Sequence, residues 1–318
     1  MNIKKIGMTA LAASLVSASA NAGELTISGA ASLGIGGYSG ERVDLGTSFT
    51  MGNQFTVSGS GELDNGMTVS LSYQLDNGET VFDDHSLTIS SEGMGSLKFS
   101  GHGGSSASQT VDATVAGDIW DGYDGTGIAE NVTGTALSAA SAGNNSMLYT
   151  LPEVMEGVSI VASYNPQVSG TTEAEVGYAI TYTGVEGLTA AYASTDENTG
   201  TANTSGEQTA YKVTYAYGPI TFGVSNSDYD VGSSGTDMEV DAYNISYTVS
   251  DELSLSYGVE EINKGGTTVD AEYSAIVASY TSGGMTLTAK LEEAENVNNT
   301  TSTFADMEYY FIGAAFAF

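Results

Sequence analysis

The 318-residue chain carries 39 acidic side chains against seven Lys and Arg, a formal charge of −32, and no cysteine. Such a balance repels nucleic acid, and without cysteine neither a disulfide nor a thiolate metal site can form. Nineteen tyrosines and nine phenylalanines separate it from disordered acidic chains, which are poor in aromatics.

Taken from the N-terminus, Lys4 and Lys5 precede an apolar run from Ile6 to Val16, and Ala20-Asn21-Ala22 has the small-x-small pattern of a secretory cleavage site. The run is too short for a spanning helix of about 20 residues. Residues 1–22 are therefore expected to be a signal peptide, leaving a mature chain of residues 23–318 with a charge of −34 (5 minus 39). The three prolines, Pro152, Pro166 and Pro219, stand beside turns, and no composition break divides the chain. One domain is expected.

Beyond residue 22 no helical period appears. Short runs alternate with period two and are separated by Gly, Asn and Asp. Leu25, Ile27, Ala31, Leu33 and Ile35 share one parity; Met67, Val69, Leu71, Tyr73 and Leu75 another run; then Tyr211, Val213, Tyr215 and Tyr217; and last Tyr310, Ile312, Ala314, Phe316 and Phe318. The opposite parity is rich in Ser, Thr and Gly and thin in Lys and Glu, unlike the wet face of a soluble sandwich. Aromatics near strand ends fit interfacial girdles, and only a closed barrel lets strands satisfy their backbone groups in a bilayer. Lys98, Lys212 and Lys290 all fall on the polar parity, as lumen-facing cations must. Short connections, such as Asp64-Asn65-Gly66 and Gly218-Pro219, alternate with longer acidic ones near 38–46, 76–85, 102–144, 165–174, 195–207, 228–238, 263–269 and 295–303. The fold expected is an all-β transmembrane antiparallel barrel of about sixteen strands.

Particular stretches resemble the general-diffusion porins of Gram-negative bacteria. GELTISGAASLGIGGY is similar to their first strand, QFTVSGSGELDNGMTVSLSYQL to the second and third, HSLTISSEGMGSLKFSGHG to the fourth and fifth, and SMLYTLPEVMEGVSIVASY to the sixth and seventh. The closing YYFIGAAFAF resembles the signal read by the barrel-assembly machinery, with Tyr310, Phe316 and Phe318 as its residues. The resemblance implies an outer-membrane, homotrimeric, water-filled channel for small hydrophilic solutes and ions. It also implies that the loop after the fifth strand, about Gly103–Asn144, folds inward and narrows the pore. Asp112, Asp118, Asp121, Asp124 and Glu130 then become candidates for the constriction. The family's arginine cluster on the facing wall is missing; Arg42, Lys98 and His102 are the nearest substitutes, so a net negative, cation-selective pore is expected. The 76–85 loop, with Asp83 and Asp84, resembles the one that reaches over a neighbouring subunit.

Other chemistry finds little support. Asp118, Asp121 and Asp124 are three apart and Glu130 falls at position 13, unlike a helix-flanked calcium loop with ligands at 1, 3, 5 and 12. A looser, weak calcium site at those three acids stays open; no other metal or cofactor is implied. Serine–histidine catalysis needs a histidine beside a nucleophile, and only His85 and His102 exist; no enzyme is expected. A structural or adhesive barrel is the alternative, but it gives no reason for one connection to be far longer than the rest.

Overall fold

The computed structural model describes residues 25–40, 46–76, 83–123, 144–166, 174–197, 206–230, 237–301 and 305–318. The expected signal peptide, Arg42, Asp124 and Glu130 lie outside these residues. The first strands are β1 (Thr26–Gly40), β2 (Thr47–Glu62), β3 (Thr68–Asp76), β4 (His85–Ser91), β5 (Gly95–His102), β6 (Ser146–Thr150), β7 (Val158–Asn165) and β8 (Glu175–Tyr182). They continue as β9 (Leu188–Glu197), β10 (Gly206–Tyr217), β11 (Ile220–Asp230), β12 (Met238–Thr248), β13 (Leu253–Lys264), β14 (Ala271–Ser282), β15 (Met285–Glu295) and β16 (Met307–Ala317). Each strand pairs antiparallel with the next and β16 pairs with β1, closing a barrel of sixteen.

Closure leaves no unpaired edge. Across the seam Leu33 faces Ala314, Ile35 faces Ile312 and Ala31 faces Phe316. Phe318, one residue past β16, extends the ladder: its N–H donates to Gly29 O at 3.0 Å and its carbonyl accepts from Gly29 N at 2.8 Å. Its ring lies over Gly29, where a Cβ would come within 2.5 Å of it. At the other end of β2, Asn65 Oδ1 accepts from Met67 N at 3.1 Å and Gly66 takes φ +79, the left-handed conformation that favours glycine in a tight turn.

The large apolar side chains point outward. Phe49 is 65% exposed, Leu291 64% and Ile312 67%, which no water-soluble sheet tolerates over a whole surface. The other parity points inward. Lys98 faces Thr88 and Leu148 across its neighbours, Lys212 faces Ser225 and Ala191, and Lys290 faces Val277 and Phe311, all on inward rows. At the end of the barrel bearing the longer connections, outward carboxylates stand directly opposite one another. Asp241, Glu261, Glu272 and Glu295 form one such row, and Glu293 faces Glu308. Carboxylates do not sit in hydrocarbon unpaired, so these rows mark where the apolar band ends.

Candidate functional site

The long connection after β5 turns into the barrel at Gly103, whose φ is +64, and its described part, to Tyr123, runs along the inner wall. Ala107 N donates to Ser163 Oγ of β7 at 2.8 Å, and Ser108 N to Thr195 Oγ1 of β9 at 3.1 Å. Ser108 Oγ donates to Gln208 Oε1 of β10 at 2.8 Å. Further along, Val115 N donates to Ser225 Oγ of β11 at 3.0 Å, and Ser227 Oγ to Asp112 O at 3.3 Å. Beneath this path the inward residues are small. Ala107 and Val111 pack on Ala179, Ala193 and Ala210. A Cβ at Gly223 would meet Val115 at 2.9 Å, and one at Gly258 would meet Ala116 at 2.7 Å. The wall is thinned where the loop lies against it.

The loop is then knotted to one carboxylate. Asp118, in a left-handed conformation (φ 53), accepts from Thr114 N through Oδ1 at 2.8 Å, while Thr114 Oγ1 accepts from Asp118 N at 2.9 Å and Gly117 N at 3.1 Å. The same Thr114 hydroxyl donates to Glu260 Oε1 of β13, and Glu260 Oε2 accepts from Trp120 N at 2.9 Å. Glu260 is fully buried. A buried carboxylate is costly unless hydrogen-bonded, and here its acceptor capacity is filled by the turn it holds.

Past this knot the attachment becomes apolar. Ile119 and Tyr123 are buried among Val240, Ile262, Ala271, Tyr273, Ala275, Ala294, Val297 and Met307. Tyr38 of β1 donates to Gly122 O at 2.5 Å and stacks edge-on against Tyr123, with ring centroids 5.8 Å apart. Burial of Ile119 contributes about 1.5–3 kcal/mol, so the far end of the described segment is held against the wall as well as its root.

The candidate residues thus fall in distinct places. Asp112, Asp118 and Asp121 are on the inward-folded segment; Asp121 is exposed and the other two half-buried. Asp112 Oδ2 accepts from Gln208 Nε2 at 3.1 Å. Burial raises the Asp112 carboxyl pKa above its ordinary value, against the lowering by Gln208 and Lys212 and with Asp118 adding to the rise. Lys212 lies beneath the loop, within electrostatic reach of Asp118 and Asp112. Lys290 pairs with Glu292 at 3.5 Å. Lys98 stands on β5, among inward serines and threonines of the neighbouring strands. His102, at the outer end of β5, donates from Nδ1 to Asp84 Oδ1, 3.2 Å away, with Asp83 Oδ1 at 3.9 Å. Asp124 and Glu130 lie outside the described residues, and with Asp124 the three-acid arrangement considered for calcium.

Among the described residues the loop's hydrogen bonds and packing fall on strands between β7 and β16 and on β1, and the arc β2–β5 is the wall that faces it. Its inward residues include Ser58, Ser60, Ser70, Ser72, Ser86 and Thr88, which line one cavity. A passage between loop and open wall is therefore bordered by carboxylates on one side and mainly hydroxyls on the other. Sequence reasoning did not single out Glu260, Gln208, Ser225 or Tyr38. The available signal was a glutamate at inward parity in a strand whose other inward residues are mostly small.

The geometry has counterparts. An anion-selective porin from Comamonas acidovorans superposes with a TM-score of 0.67 at 13% identity, covering 93% of this chain and 99% of that one. OmpT of Vibrio cholerae, an outer membrane protein in trimer form, gives 0.68 at 14%, covering 94% and 100%. A mutant of the Rh. blastica porin gives 0.65 at 16%, covering 93% and 100%. Comparison with curated proteins found no match. A family model described as Gram-negative porin matches residues 7–260, well over half the chain. The chain therefore belongs to the Gram-negative porin family and is a channel protein of the bacterial outer membrane.

Proposed function

We propose that this porin is a passive, cation-selective channel for small hydrophilic solutes, without cofactor or chemistry, whose narrowest part lies between the inward loop and the β2–β5 wall. The observation that carries this reading is the charge across that gap. Asp118 and Asp121 ride on the loop, while the facing inward rows of β2–β5 supply Lys98 together with Glu62 and Asp76 amid mainly serine and threonine. The barrel itself does not set the sign of selectivity, since one structural neighbour is an anion-selective porin. Sign follows from the fixed charge lining the passage, and here acids outnumber bases throughout.

The test is the reversal potential across a planar bilayer under a KCl gradient. Cations should dominate at low salt. At about 1 M, where the Debye length is about 3 Å, charge at the mouth is screened but charge within the narrow part is still felt, so a remnant of selectivity persists. Asp118→Asn with Asp121→Asn should remove most of that remnant; asparagine at 118 retains an oxygen to accept from Thr114 N, so the turn survives. Anion preference, or indifference to the double substitution, would refute the reading. Failure of the protein to admit small sugars into liposomes would favour a structural or adhesive barrel instead.

A homotrimer fits the same surface. Exposed outward tyrosines run from Tyr164 on β7 through Tyr178, Tyr192, Tyr211, Tyr243, Tyr257 and Tyr280 to Tyr310 on β16. Among the described residues β1–β5 offer only Tyr73 in that role, with Phe49, Met51, Phe55, Leu71 and Leu87 otherwise exposed. Tyrosine belts mark lipid–water interfaces, and a wall lacking them suits contact with further copies of the chain.

A further inference from the structure

We propose that Asp83, Asp84 and His102 form a binding site for one zinc-like divalent metal ion at the root of the constriction loop. One oxygen from each carboxylate and a ring nitrogen of His102 lie within 4.8 Å of one another. His102 Nδ1 is 3.2 Å from Asp84 Oδ1 and 3.9 Å from Asp83 Oδ1. Tetrahedral zinc, with bonds of about 2.0–2.2 Å, holds its ligand atoms about 3.3–3.6 Å apart. The trio needs to contract by no more than a rotamer adjustment. Two hard oxygens alone would suit calcium; the imidazole moves the preference to zinc, nickel or copper. Three protein ligands leave a fourth position for water, and side-chain exposures of 32% to 43% leave the site open to the medium.

The trio is held by the backbone around it. Asp83 N donates to Gln74 O at 3.0 Å and Gln74 N to Asp84 O at 2.7 Å, so the two aspartates are clamped to the end of β3. On the other side, β4–β5 pairing slips by one residue between His85 and Ser86, which places His102 opposite His85. Two glycines make the room. A Cβ at Gly103 would collide with the Asp84 carboxylate, and one at Gly101 with the His85 ring. His85 itself stacks on Tyr73, with centroids 6.3 Å apart, and stands outside the trio. Since Asp83 and Asp84 enter β4 while His102 and Gly103 begin the inward loop, a bound ion would tie that loop's root to the β3–β4 connection.

The experiment is calorimetric titration of ZnCl2 into the untagged chain purified folded from outer membranes, at neutral pH, with millimolar CaCl2 present to occupy scattered carboxylates. One saturable site per chain is expected, weakened at least tenfold by His102→Ala and by Asp84→Asn, and retained by His85→Phe. Folding of each variant is checked by heat-modifiable migration; should His102→Ala fail to fold, His102→Gln replaces it. Absence of saturable binding, abolition by excess calcium, equal binding after loss of His102, or loss of binding in His85→Phe would each overturn the site. The selectivity argument is untouched by any of these outcomes.

Discussion

Glu260 offers the sharpest test of how the loop is held. In Glu260→Ala the Thr114 hydroxyl and the Trp120 N–H, both bonded to it, lose their acceptor beside a side chain that is fully buried. A buried donor left unsatisfied costs about 1–3 kcal/mol, so the docked loop is destabilised by about 2–6 kcal/mol relative to the undocked one. At about 1.4 kcal/mol per tenfold, the undocked fraction rises roughly 30-fold to 20,000-fold. Glu260→Gln keeps one oxygen for Trp120 N–H but sets its amide against a Thr114 hydroxyl that already accepts from Gly117 N and Asp118 N, so it restores one of the two bonds and its effect should be intermediate. Single-channel recording reads the result as brief current interruptions when the loop leaves the wall, ranked alanine above glutamine above wild type. Heat-modifiability should persist in all three, because the barrel ladder does not pass through this side chain. If Glu260→Ala matched wild type in conductance, selectivity and current noise, the carboxylate would not be the anchor the geometry makes it.

Three further outcomes follow from register, closure and burial. Val213→Lys, turning a charge outward in mid-strand β10, should destabilise the barrel by about 2–4 kcal/mol, whereas Lys212→Leu should leave folding nearly intact and increase cation selectivity by freeing Asp112 and Asp118; urea unfolding with reversal potentials separates the two. Removing Phe318 should reduce folded barrel in the outer membrane without stopping export, since its backbone bonds and ring both seal β16 on Gly29; unchanged heat-modifiable protein would contradict this. Because burial raises the pKa of Asp112, that group takes up its proton at a higher pH than an ordinary carboxyl as pH falls. Cation selectivity should therefore begin to decline above the usual carboxylate range, and Asp112→Asn should shift the onset of decline downward.

The strands were legible because burial in a bilayer imposes the simplest pattern a chain can carry. Leu33, Ile35 and Val213 alternate with small or polar neighbours, and the structure turns each of them outward. Turn chemistry located the ends: Asp64-Asn65-Gly66 closes β2 onto β3 as its glycine suggests. The loop's inward path was legible only by resemblance. Its contacts join residues far apart in sequence, Thr114 to Glu260 and Ala107 to Ser163, and no local period records such pairs. His102 shows the same limit on a smaller scale. It was expected as a counter-charge to the loop, and a one-residue slip in β4–β5 pairing sets it beside Asp83 and Asp84.

Parity nevertheless sorts acids that composition lumps together. Glu261, Glu272, Glu293, Glu295 and Glu308 face outward, where like charges stand opposite one another across the ladder. That arrangement disfavours pairing and is tolerable only where water and ions screen it, so these residues belong above the apolar band. Glu260 and Glu292 are the neighbours of two of them in sequence, yet they face inward and are buried. An inward glutamate in mid-strand, flanked along its row by Gly258 and Ile262, has no solvent to satisfy it unless the lumen beside it is open. Burial there requires something else to supply donors: Lys290 of the same strand does so for Glu292, and among the described residues the inward loop does so for Glu260 through Thr114 and Trp120. The shift of a single residue between Glu260 and Glu261 thus separates an anchor for the loop from a marker of the membrane's edge.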